Sequence, residues 1–227
     1  LLGGARLGDA IAVRRALFAG ANLAHRGELD GRSALHHAAE CGHLAVAELL
    51  LAQQLGKPAH LVDVRNLSDR DISRQWCPLH EAVWNDRGAI VRLLLEHGAK
   101  VDVVDAFGTT PLMMAVVKNN MALMKTLIAD GKASLGAVDN DGRTPLHHAA
   151  ARGTLDTIRL LLHVGASIEA RDNVGHSPPD YAMISKRRRA YEVLRITRNE
   201  IDPADVLRFY FQKECASAEA AELQEKA

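Results

Sequence analysis

Aromatic side chains are scarce in this chain: four Phe, three Tyr and two Trp make up 4% of its 227 residues. A partner surface built broadly on aromatic rings is therefore excluded, and the few rings present stand out. Cysteine is scarcer still. Cys41, Cys77 and Cys215 are three and far apart, so they cannot pair completely and match no thiolate metal spacing. That excludes a disulfide scaffold and favours a reducing, intracellular setting, cytoplasmic or nuclear. An excess of charge of either sign is missing, with 28 Lys plus Arg against 28 Asp plus Glu. No global field draws the chain to nucleic acid or to an anionic membrane, and neither is expected as a partner. Long apolar runs are missing too. The longest, LAVAELLLA at 44–52, is too short to span a bilayer and contains Glu48. Nothing at the N-terminus resembles a secretory signal. The chain begins at Leu1 without an initiating Met, which reads as a piece of something longer.

What is present is hydrophobic material, 48% of the residues, enough to bury a core, and it recurs. GRSALHHAAECGHLAVAELLL at 31–51 lines up with GRTPLHHAAARGTLDTIRLLL at 142–162. QWCPLHEAVWNDRGAIVRLLLEHGA at 75–99 and GTTPLMMAVVKNNMALMKTLIADGK at 108–132 follow the same frame, and GHSPPDYAMISKRRRAYEVL starts a last copy at 175. The frame positions 75, 108, 142 and 175 are 33, 34 and 33 residues apart. Thr110-Pro111 and Thr144-Pro145 are a capping residue followed by the preferred first helical residue. Leu146, Ala149 and Ala150 at i, i+3 and i+4 give the helix one apolar face, with alanines small enough for close helix approach. Gly153 and Gly165 stand where helices stop. Each unit reads as helix, turn, helix and hairpin-like link. One unit cannot bury its own face, so the copies must stack.

This period, with TPLH inside it, resembles the ankyrin repeat. The resemblance covers residues 1–195 and implies an all-α ankyrin-repeat solenoid. Its parts are an N-terminal capping unit at 1–26, full repeats at about 27–71, 72–104, 105–138 and 139–171, and a C-terminal cap at 172–195. A helical extension over 196–227 follows. The resemblance implies a protein-binding scaffold or adaptor that uses its concave face as a monomer. The hairpin slots on that face are Arg32, Trp76, Thr109, Arg143 and His176. The inner helices contribute Glu40, Cys41, Trp84, Asn85, Val117, Lys118, Ala151 and Arg152, and Phe107, Asp141 and Val174 stand at hairpin tips. Of these, Trp76, Trp84, Asn85, Arg32, Phe107, Thr109, Lys118, Arg143, Arg152 and His176 are the expected partner-binding residues. Helical arithmetic agrees for Trp84, which lies about 140° around from Leu79 on a 100° wheel. Trp and Arg are also the side chains that most often dominate interfaces.

The copies differ in places. From Gly31 to Gln75 the frame is 44 residues, so about eleven extra lie within 55–74, either a binding loop or a tolerated one. That loop could instead fold over both tryptophans. In the repeat at Gln75, Cys77 replaces the capping Thr and Asp86 the turn Gly, which predicts lower local stability. His36-His37 and His147-His148 invite a zinc reading, but the spacing is not that of a closed zinc site. His36, His80 and His147 fall on the TPLH slot, where the resemblance implies a hydrogen bond between neighbouring repeats. No metal or cofactor is expected. Lys186-Arg187-Arg188-Arg189 is read as a solvated capping face, with nuclear import or an acidic partner as the alternative.

No catalytic constellation is present. His80-Glu81 lacks a second His, Gly175-His176-Ser177 lacks the closing Gly, and no phosphate loop follows a strand. The chain is read as no enzyme itself. The alternatives are a targeting or regulatory segment of a larger enzyme or secreted effector, and a nuclear cofactor. After the last repeat, Asp202-Pro203 predicts a helix start, and Val206, Leu207, Tyr210 and Phe211 form an apolar stripe suited to docking on the preceding repeat, with binding a partner as the alternative.

Overall fold

Helices begin where the sequence supplies a cap, and they come in pairs. The computed structural model describes residues 1–27, 31–52 and 74–198. The pairs are α1 (Leu2–Leu7) with α2 (Ala10–Phe18), α3 (Ala34–Cys41) with α4 (Leu44–Ala52), and α5 (Pro78–Trp84) with α6 (Gly88–Glu96). Then follow α7 (Pro111–Val117) with α8 (Met121–Ala129), α9 (Pro145–Arg152) with α10 (Leu155–His163), and α11 (Pro178–Ile184) with α12 (Arg188–Arg198). Proline opens α5, α7, α9 and α11, as its fixed φ and missing N–H allow. Thr110 caps α7 by accepting the Met113 N–H at 3.3 Å. Within each pair one residue turns through the left-handed region. It is Gly8, Gly42 or Gly153 in three pairs, but Asp86, Asn119 and Lys186 hold the same conformation, at φ 57°, 53° and 57°. Among the described residues the fold is all-α, with no strand and one isolated bridge, Arg26 to Ser33.

Contacts divide the chain into two units, Leu1–Pro145 and Leu146–Ala227. In the first, α1, α3, α5 and α7 pack side by side as an inner layer. The outer helices α2, α4, α6 and α8 pack in the same order behind them. Leu50, Leu51, Leu79, Ile90, Leu94, Leu112, Met124 and Leu127 are fully buried between the layers. The inner faces are closed by small residues such as Ala38, Ala39 and Ala82, which let neighbouring helices approach. In the second unit α12 packs against α10 and α11, around Leu146, Ile158, Leu161 and Leu194.

Polar groups tie each unit's neighbouring pairs together in two ladders. The first uses the TPLH histidine. His36 Nδ1 accepts the Ser33 N–H at 3.2 Å, so its proton is on Nε2, which donates to the Trp76 carbonyl at 3.1 Å. His80 repeats the arrangement, accepting from the Cys77 N–H and donating to the Thr109 carbonyl, each at 3.2 Å. His147 donates to the His176 carbonyl at 3.1 Å. The second ladder uses the residue before each outer helix. His43 donates to the Arg6 carbonyl, Arg87 to the Glu40 carbonyl, Asn120 to the Asp86 carboxylate and Arg187 to the Ala151 carbonyl.

Candidate partner-binding surface

The hairpin-like links set the geometry of the candidate residues. Three of them are each folded around one aspartate whose Oδ1 accepts two backbone N–H groups. Asp105 takes those of Phe107 and Thr109, Asp139 those of Asp141 and Arg143, Asp172 those of Val174 and His176. The second carboxylate oxygen is bonded by a different side chain each time. At Asp139 it is Arg143 Nε at 2.9 Å, and at Asp172 the Tyr181 hydroxyl at 2.7 Å. At Asp105 it is the indole N–H of Trp76, at 3.3 Å. Burial alone would raise the Asp172 carboxyl, but the hydrogen bonds from Tyr181, His176 and Val174 outweigh it and hold the group below its usual range.

Trp76 is consequently not where the hairpin register puts it. It is 5% exposed, with its indole N–H on Asp105, its ring 5.5 Å from that of Trp84 and the Arg74 guanidinium 4.8 Å from its centroid. A register can assign a side chain to the partner-facing side of a hairpin, yet here a hydrogen bond across 29 residues turns the ring inward. Helical arithmetic turns Trp84 away from the buried stripe of Leu79, and the ring is half-buried. Trp84 ends α5, one face tilted against Trp76, and the Lys118 ammonium sits 4.6 Å from its centroid. Whether residues 55–74 cover the pair concerns a segment of which 55–73 lie outside the described residues.

The other expected residues divide by role. Around Trp84 the structure brings Asn85, which caps α5 and donates to the Glu81 carbonyl at 2.9 Å, and Lys118, which is exposed. Phe107 stands out at a hairpin tip, 58% exposed. Thr109 is half-buried, its backbone engaged at both N–H and carbonyl. Arg32 is tied to the scaffold, with Nη1 2.6 Å from Glu40 and Nη2 2.9 Å from Glu81, a carboxylate on the neighbouring inner helix that is 1% exposed. Arg143 is held by Asp139 and Asp141. In the second unit Arg152 is exposed at the end of α9, and His176 is half-buried over the edge of Tyr181.

Sequence reasoning missed the Arg32–Glu40–Glu81 ion cluster and the second ladder. The available signal was Glu81 in a slot where two other copies carry His37 and His148, and the polar side chains at 43, 87, 120 and 187. Of the paired histidines, His36 and His147 each donate to a backbone carbonyl of the neighbouring pair. Among the described residues no group of His, Cys, Asp and Glu could hold a metal ion. Burial pushes the His36 imidazole down from 6.5 to about 3, the Trp76 hydrogen bond opposing it only in part. No described helix is long and apolar enough to cross a membrane.

Comparison with known proteins places this architecture. Residues 2–105 and 79–172 match the model of ankyrin repeats. A tyrosine-protein kinase of Hydra vulgaris, HTK16, is 36% identical over 119 residues, 52% of this chain and 16% of that protein. The B-cell lymphoma 3 protein homolog of Mus musculus is 31% identical over 166 residues, 73% of this chain and 35% of that protein. Cyclin-dependent kinase inhibitor 2A of Monodelphis domestica is 33% identical over 104 residues, 46% of this chain and 60% of that protein. The chain thus spans less than two thirds of the length of each. Ankyrin repeats generally mediate protein–protein interaction and are typically not catalytic. With the matched segments running from residue 2 to residue 172, the chain belongs to the ankyrin repeat family.

Proposed function

We propose that this chain binds a protein or peptide partner on the side where its inner helices end, with Trp84 as the anchor. The observation that carries this reading is the Trp84 ring, half-buried on a fixed support of Trp76 and flanked by the exposed Lys118 ammonium. An aromatic held rigid loses little entropy on binding, and a cation beside it adds direction for a carboxylate or carbonyl. Asn85 and Phe107 extend this surface, while Arg32, Thr109 and Arg143 shape it from within their scaffold bonds. In the second unit Arg152 and His176 are the corresponding contact residues. Trp76 acts as the support beneath Trp84. The chain carries no catalytic role, works as a monomer and resides inside the cell. Loss of a partner in Trp84→Ala, with the melting transition of the domain retained, is the test.

A second reading has its own support. HTK16 is named a tyrosine-protein kinase, and this chain corresponds to 16% of it. The same surface would then position an activity encoded elsewhere in a longer protein. An open reading frame carrying a kinase, transferase or membrane segment next to these residues supports that reading, and one that encodes repeats alone removes it.

A further inference from the structure

The last helix pair leaves open a face that its predecessors have closed. In the repeat frame Met183 holds the slot of Ala39, Val83, Val116 and Ala150, and Tyr191 that of Ala47, Val91, Met124 and Ile158. All eight of those residues are buried. Met183 is 58% exposed and Tyr191 only half-buried. With Ala182 they line a crevice of about 310 Å³ between α11 and α12, rimmed by Lys186, Arg187 and Arg188. Arg187 is tied to the Ala151 carbonyl and Arg188 to Glu192.

Three occupants are conceivable, and the sequence distinguishes them. A further repeat in register would begin near residue 208, where Arg208-Phe209-Tyr210-Phe211 offers no capping Thr and no Pro. A second copy docking face to face would bring its own Lys186–Arg189 run against this one, and like charges oppose that. The third is the chain itself. Residues 199–227 lie outside the described residues, and α12 ends at Arg198. Three residues separate it from Asp202, where the sequence predicts a helix start, with Val206, Leu207, Tyr210 and Phe211 as a stripe and Asp202 and Asp205 in the first turn.

We propose that residues 202–213 cap the array by packing this stripe on Met183 and Tyr191, with the Asp202 and Asp205 carboxylates against the Lys186 and Arg188 rim. Apolar surface that a following repeat would bury is then closed by a single amphipathic helix, and the charges on the two sides are complementary.

Hydrogen exchange on the intact chain tests this directly. The expected result is protection of the amides of 204–213 by about tenfold or more over free-chain rates, lost in the Leu207→Asp, Phe211→Asp variant. A second measurement does not depend on that variant folding. With Cys41→Ser and Cys215→Ser as background, Met183→Cys and Leu207→Cys should form a disulfide within one chain under mild oxidation. Unprotected amides at 204–213 while α9 to α12 remain protected would overturn the proposal. So would cross-links found only between chains, which would assign the face to a second copy.

Discussion

Trp76 and Trp84 touch at 5.5 Å, yet removing them should have unequal consequences. Trp76 is buried and its indole N–H bonds Asp105, the aspartate around which the neighbouring hairpin is folded. Trp76→Ala leaves a cavity and removes that bond, so urea unfolding should show a loss of about 3–5 kcal/mol. Trp84 is half-buried, and its contacts are the Trp76 ring and the Lys118 ammonium; Trp84→Ala forfeits the ring pair and some apolar contact, about 1–2 kcal/mol. Equal losses from the two variants would contradict the division of these rings into support and anchor. Helical periodicity takes Trp84 off the buried stripe from local residues alone, and it is half-buried where Leu79, Ala82 and Val83 are buried. The orientation of Trp76 was not legible in sequence, because its determinant, Asp105, is distant in the chain and belongs to the next hairpin.

At the level of elements the repeat frame was readable because caps and turns are local chemistry. Pro78, Pro111, Pro145 and Pro178 each open a helix, and Gly42 and Gly153 each turn through positive φ, as the frame predicts. The departures were legible as departures, but their outcome was not. Cys77 was expected to cap poorly; the structure keeps the motif, His80 Nδ1 accepting the Cys77 N–H at 3.2 Å, with the sulfur also 3.2 Å away. At Ser33 the hydroxyl is closer, 2.8 Å from His36 Nδ1. A hydroxyl is the stronger partner, so Cys77→Ser should stabilise the α5 pair by about 0.5–1 kcal/mol, seen as a higher urea midpoint at unchanged slope. Asp86 in place of the turn glycine adopts φ 57°, and its carboxylate takes a hydrogen bond from Asn120, a compensation that no local pattern announces. The fourth inner helix, α7, carries Met113 where the repeats before and after it carry the bridging histidine, so this slot has no imidazole to donate.

At the scale of the whole molecule the buried His36 imidazole makes stability pH-dependent. His36 has a folded value of about 3 against 6.5, so between those limits the unfolded chain binds the proton and the native one does not. Stability is therefore full above about pH 6.5 and falls as pH drops toward 3, by up to ~1.4 kcal/mol per pH unit for this group. Asp172 and Asp180, both held below their usual value, add to acid lability below about pH 4, where the unfolded carboxyls protonate first. Urea unfolding as a function of pH should show a shallower slope between pH 4 and 6.5 in His36→Leu than in the wild type, whatever that variant's absolute stability. The central claim concerns binding, and one experiment bears on it most directly. Proteins retained from lysate of the source cells by wild type, by Trp84→Ala, Lys118→Ala and by an outer-helix control, Arg92→Ala, Lys125→Ala, are quantified side by side. The account predicts that a partner held by the wild type and by the outer-helix control is lost, by about tenfold or more, from the Trp84 and Lys118 variant while that variant still melts cooperatively. The same partner retained equally by all three proteins would contradict it.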